Sequence, residues 1–260
     1  MSQLQTAVPP TSGSPAPPAQ PSPTATLFWG VISTVILFAW IAWQIGWLWA
    51  AGMIAGVFVH EFGHVLVINW AGSGPSSVRI IPFLGGAATM RRPPDTDFKG
   101  VLIALAGPSF GLLATIPFFL ASSMTGDPSW QGGAFFIGAL NLINLAPATP
   151  LDGSKALGPV LARIHPLLER AALLLVGLAV VAFAISRNSW IVAIFVGLSL
   201  LASMRVKRLR AAARPLNLPE WLASFALYGA VVALCAFVTL TAARDSGVIG
   251  QMSPLTRFGG

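Results

Sequence analysis

His60-Glu61-Phe62-Gly63-His64 lies between Met53-Ile54-Ala55-Gly56-Val57-Phe58-Val59 and Val65-Leu66-Val67-Ile68, and its side chains are the only ionisable ones in this apolar run. The run is long enough for a helix that spans a bilayer, and on a helix residues i and i+4 share a face. Both imidazoles can therefore reach one metal ion, with Glu61 beside them to take a proton from a water the metal activates. A carboxylate inside a bilayer is costly and points to function. The competing reading is a chance match of two satisfied core histidines. Composition disfavours it, since the whole chain holds only three histidines.

Outward from this motif the chain stays apolar. It is 55% hydrophobic and 9% charged, proportions of a polytopic membrane protein rather than a soluble globule. Apolar segments fall at about 27–43, 48–70, 100–124, 132–145, 167–185, 190–204 and 221–242. Pro108 and Pro117 are expected to bend the third. The expected fold is all-α, with about six to seven transmembrane helices and a small membrane-associated β-hairpin near 78–88, where Pro82-Phe83-Leu84 precedes Gly85-Gly86. Residues 1–26 read as a disordered Pro/Ser-rich tail, 27–243 as one membrane domain and 244–260 as a short C-terminal tail.

Charge supplies orientation. The formal net charge is +7, and the densest basic run is Arg205-Val206-Lys207-Arg208-Leu209-Arg210, with Arg214 beyond. Lying between two apolar segments, it fits a cytoplasmic loop under the positive-inside rule better than a nucleic-acid patch. Arg79, Arg91, Arg92 and Lys99 in one loop and Lys155, Arg163 and Arg170 in another fall on the same side by alternation. The amino terminus is then expected in the cytoplasm. The first 26 residues carry no charge and so lack the basic leader of a signal peptide, which suits a prokaryotic inner membrane. Cys235 is the single cysteine, which rules out an internal disulfide and a thiolate zinc site.

Two histidines holding zinc need a third protein ligand and an open position. His165 sits in a polar turn, Arg163-Ile164-His165-Pro166, and is expected to be solvated. Asp95, Asp97, Asp127 and Asp245 lie in polar loops, and Glu169 and Glu220 begin helices. Asp152 remains, in Asn144-Leu145-Ala146-Pro147-Ala148-Thr149-Pro150-Leu151-Asp152-Gly153. The prolines break the helix there, which a membrane tolerates where protein or water surrounds the break. Asp152 either turns inward as the third ligand or caps the helix that starts at Gly153.

The pair of motifs, H-E-F-G-H and N-L-A-P-A-T-P-L-D-G, resembles the site-2 protease family of intramembrane zinc metalloproteases over about residues 48–165. Pro82-Phe83-Leu84-Gly85-Gly86 resembles the family's membrane hairpin, and Ala106-Gly107-Pro108 the start of its next core helix. Thr149 and Gly111 depart from the pattern, standing where relatives carry a proline and, in many cases, an asparagine. The resemblance implies one Zn2+ held by His60, His64 and Asp152, with Glu61 as general base. Asn144, helped by Asn141 one turn earlier, would donate a hydrogen bond to substrate or intermediate, the alternative for both being an interhelical packing contact. The implied substrates are single-pass membrane proteins within the lipid bilayer, cut near the cytoplasmic side after another protease has removed an outer domain. The hairpin edge would hold the unwound segment as an added strand. Two rival readings are a non-catalytic membrane scaffold and a metal transporter. A transporter would favour several acceptor sites and repeated halves.

Overall fold

A computed structural model describes residues 23–81, 85–186 and 213–246, and between the last two stretches only 194, 197, 198, 200 and 201. Eight helices and one strand pair are described in full. They are α1 (Pro23–Ile45), α2 (Trp47–Trp70), β1 (Ser77–Ile81), β2 (Gly85–Thr89), α3 (Asp97–Leu113), α4 (Ile116–Thr125), α5 (Gln131–Asn144), α6 (Asp152–Ile164), α7 (Pro166–Ser186) and α8 (Leu218–Asp245). The expected tail therefore gives way to helix at Pro23 rather than after residue 26. Residues 1–22, most of the segment expected at 190–204, the basic run 205–210 and the end of the C-terminal tail lie outside the described residues.

The protein is mostly helical. Among the described residues three helical stretches are long and apolar enough to cross a bilayer: Trp47–Trp70, Asp97–Thr125 and Leu218–Asp245. The break expected near Gln44–Trp47 is a single residue, Gly46, whose φ of 108° suits a residue without a Cβ. In the third segment Pro108 stays inside α3, and the chain breaks at Ala114–Thr115, so that Pro117 falls in the first turn of α4. α5 has 14 residues. At about 1.5 Å per residue it reaches roughly 21 Å, short of a hydrocarbon core of about 30 Å.

α3 is the central helix: the stretch it forms with α4 has 67% of its membrane-length window buried, against 33% for α2 and 11% for α8. It packs on α2, α5, α6 and α8. Its residues Val101, Ala104, Leu105 and Leu112 form a core with Leu145, Ala156 and Cys235. The peripheral helices turn large apolar side chains outward. On α2, Phe58, Phe62, Leu66 and Trp70 recur every four residues as an exposed stripe, while Gly52, Gly56, His60 and His64 occupy the buried face. That inversion is what a helix with protein on one side and lipid on the other requires.

α2 lies against α5 through small residues. A Cβ on Gly52 would strike the backbone of Gly133, and one on Gly56 would sit 3.0 Å from Ile137 Cγ1. Gly52, Gly56 and His60 thus face Gly133, Ile137 and Asn141, each series stepping by four residues. Close backbone approach through small residues is the usual way helices pack in lipid.

Charged groups gather at one end. Arg214 N–H donates to Asp95 O (2.8 Å) and Asp97 N–H to Arg214 O (2.9 Å), tying the chain before α8 to the start of α3. Lys99 Nζ lies 3.0 Å from Asp95, and the pairing holds the Asp95 carboxyl below the usual carboxylate range. Arg163 donates to Leu216 O, and Asn217 with Glu220 forms a capping box on α8. Gly52→Leu is predicted to force α2 off α5 and lower the detergent melting temperature, at a cost of about 1–3 kcal/mol or more. Phe58→Leu on the exposed stripe should stay within about 0.5 kcal/mol of wild type.

Candidate metal centre

Two helices bring three candidate ligand atoms together. His60 and His64 come from successive turns of α2, and Asp152 begins α6 after the break at 145–151. His60 Nε2 and His64 Nε2 each lie 3.1 Å from Asp152 Oδ2 and 3.1 Å from one another. All three residues are buried. Asp152 does not act as the cap of α6. Leu151 occupies the N-cap position of α6, no side chain caps that end, and the Asp152 carboxylate faces the imidazoles. Its second oxygen lies 3.5 Å from Lys155 Nζ.

The outer nitrogens decide what the inner ones can do. His64 Nδ1 is 2.8 Å from Ile103 O on α3, and His60 Nδ1 is 2.8 Å from Asn141 Oδ1 on α5. Both partners are acceptors, so each Nδ1 carries the proton and, in a neutral ring, each Nε2 keeps its lone pair. Three acceptor atoms then converge on one buried point with no hydrogen to share, an arrangement that repels itself unless a cation or an added proton stands between them. Three ligands about 2.05 Å from a tetrahedral centre lie about 3.3 Å apart, close to the observed edges. The donor set and its spacing fit zinc.

α3 shapes the third side. A Cβ on Gly107 would lie 2.6 Å from His60 Nε2 and still closer to His64 Nε2. Only glycine at that position lets α3 press against the ligand atoms. Gly153 plays the same part beside Asp152, since a Cβ there would strike the backbone of Leu145 and Ala146. Tyr228 Oη on α8 donates to Leu145 O (2.7 Å) and holds the broken segment from behind.

Glu61 is half-buried beside the centre, and its Oε2 accepts the N–H of Ala88 at 2.9 Å. β2 pairs antiparallel with β1, with Val78 opposite Ala88. An Ala88 N–H given to Glu61 points away from β1, so the unpaired edge of β2 is the edge that faces Glu61.

Asn144 ends α5, half-buried, and among the described residues the hydrogen bonds of His60, His64 and Asp152 do not include it. Asn141 makes the interhelical contact that was one of its two sequence readings. Its oxygen faces His60 and its Nδ2 donates to Ile137 O at 2.9 Å, so the amide is directed at a ligand rather than at a substrate. His165 is exposed at the end of α6, as its polar turn suggested. Sequence reasoning missed Gly107 and Ile103 O as parts of the centre. A backbone carbonyl has no sequence signature, and the glycine shows its use only once α3 is docked.

A buried His-His-Asp triangle with a carboxylate beside it, set among apolar helices, offers a metal ion three ligand atoms and a neighbouring proton acceptor. The comparison with known proteins is specific. Residues 48–129 match Peptidase family M50. It is 32% identical over 131 residues to a protein of Synechocystis sp. named as a candidate zinc metalloprotease, sll0528, a match covering 47% of this chain and 33% of that one. It is 28% identical over 161 residues to Rip3 of Mycobacterium tuberculosis, also named as a candidate zinc metalloprotease, covering 53% and 41%. The chain thus matches well under half the length of these relatives. No solved structure matches it. The family match ends before Asp152, so the place of that carboxylate in the centre rests on the geometry above.

Purified protein is predicted to hold about one zinc per chain. Asp152→Asn and Gly107→Ala should each reduce the zinc measured by atomic emission to a small fraction of that, the first by removing the anionic ligand, the second by obstructing the imidazoles.

Proposed function

We propose that this chain is an intramembrane zinc endopeptidase that cuts transmembrane segments of single-pass membrane proteins, the chemistry of regulated intramembrane proteolysis. The observation that carries this reading is the triangle of His60 Nε2, His64 Nε2 and Asp152 Oδ2, 3.1 Å on each edge, with Glu61 beside it. Zinc, when bound, acidifies a water and polarises a carbonyl. The protein's own groups do the rest. His60 and His64 present lone pairs because Asn141 and Ile103 O hold their outer protons. Glu61 receives the proton lost by the attacking water and returns one to the departing amine. Asn144, at the mouth of the broken segment, is the candidate donor to the substrate carbonyl or its oxyanion.

A transmembrane helix conceals its peptide bonds, so the cut needs a locally extended substrate. The free edge of β2 supports this step. The edge of β2 away from β1 turns the Ala88 N–H toward Glu61, and a substrate strand added there would lie along the base. Such a strand would also take over the Ala88 N–H and leave Glu61 free to accept a proton. The extended segment would meet the centre on the side of Lys99, Arg163 and Arg214, which gather at one end of the molecule. The positive-inside rule makes that end cytoplasmic, in keeping with a cut near the cytoplasmic face and an amino terminus in the cytoplasm. Prior removal of an outer domain by another protease and residence in a prokaryotic inner membrane complete the proposal. A scaffold would have no use for the base, and a transporter would need further acceptor groups. Among the described residues His60, His64 and Asp152 form the only metal-capable group.

The test uses membranes from cells expressing wild type or Glu61→Gln at equal levels. The variant is predicted to retain zinc and to lose about 10²–10⁴-fold in cleavage rate, so that a single-pass protein or its membrane stub accumulates only with the variant. Identical membrane proteomes across several stress conditions would remove the proteolytic reading.

A further inference from the structure

We propose that Asn141 is a positioning residue of the metal centre, and that Gly111 on α3 is the gap that admits it. The proposal rests on the zinc reading above and assigns one further part of that site.

Asn141 is fully buried on α5, and its amide has a single sensible orientation. Ile137 O, one turn earlier on the same helix, can only accept, so the atom 2.9 Å from it is the NH2 group. The amide oxygen therefore faces His60 Nδ1 at 2.8 Å. That oxygen cannot donate, which places the ring proton on Nδ1 and leaves Nε2 as a lone pair aimed at His64 and Asp152. Ile137 O thus orients Asn141, and Asn141 orients His60.

The two histidines are not held alike. His64 is fixed by a backbone carbonyl, Ile103 O, which no substitution removes. His60 depends on a side chain, and that side chain depends on space. A Cβ at Gly111 would lie 2.5 Å from both the nitrogen and the oxygen of the Asn141 amide. The amide therefore fills the place a side chain at 111 would take, and α3 can remain close to α5 only while 111 is glycine. The Asn141 amide meets the outer nitrogen of His60 and the carbonyl of Ile137, so its effect on the triangle passes through His60.

The experiment measures zinc affinity of the full-length chain in detergent by competition with a chromogenic chelator, alongside thermal melting of the zinc-free protein. Asn141→Leu keeps the volume and loses the acceptor, and should weaken zinc about 10–100-fold. Asn141→Asp restores an acceptor to His60 Nδ1 and should return affinity to within a few-fold of wild type. Gly111→Ala should weaken zinc as Asn141→Leu does. In an Asn141→Ala background, adding Gly111→Ala should cost no further affinity, because no amide is left to displace. Zinc binding unmoved by Asn141→Leu, or lost equally in Asn141→Asp, would overturn the positioning role. Loss of zinc matched only by a general fall in melting temperature, with no rescue by Asn141→Asp, would do the same. Wild type that binds zinc no better than His60→Ala would instead defeat the zinc reading itself, and this proposal with it.

Discussion

Three hydrogen-bond acceptors meet at one point inside an apolar helical protein. His60 Nε2, His64 Nε2 and Asp152 Oδ2 stand 3.1 Å apart, and the protons that might have relieved their repulsion are held on the far sides of both rings. A buried carboxylate facing two lone pairs is unfavourable unless something positive completes it. The rest of the fold can be understood as the means of keeping these atoms together. α2 supplies two ligands from one face, the break after α5 turns α6 so that its first residue is the third, and α3 closes the side between them.

Such convergence requires backbones closer than ordinary side chains permit. At Gly52 and Gly133 the constraint is helix against helix, at Gly107 helix against imidazole, and at Gly153 helix against the broken strand of chain at 145–146. Helices in lipid gain little by burying one apolar surface against another, so close van der Waals packing and polar contacts between helices must carry the association. Polar contacts are present where backbone groups are released. Tyr228 takes up Leu145 O, and Trp221 Nε1 donates to Val160 O at 3.0 Å. The outer surface follows the opposite logic, with Phe58, Phe62, Leu66 and Trp70 turned to where lipid would lie.

Much of this was legible in the sequence because intramembrane charge is rare. His60, Glu61 and His64 could be read from spacing alone, and Asp152 from the lack of any better carboxylate near an apolar segment. The cap alternative for Asp152 could not be dismissed from sequence, since Asp-Gly at a helix start has the same letters whether the carboxylate turns inward or back to its own helix. Segment counting was less secure. The segment expected at 100–124 is one crossing stretch made of α3 and α4, whereas α5, expected as a span, has only 14 residues. Gly111, which departs from the family pattern, is connected by the structure to Asn141 and through it to His60. Residues 81 positions apart in the chain share no local pattern, so this link could appear only after folding.

The central claim concerns the occupant of the triangle, and zinc K-edge X-ray absorption on the purified wild-type chain addresses it most directly. The account predicts a four-coordinate shell of light atoms at about 2.0–2.1 Å, with the outer-shell scattering of two imidazoles and no sulfur. A sulfur-containing shell, a six-coordinate oxygen shell without imidazole scattering, or the absence of stoichiometric zinc would contradict it.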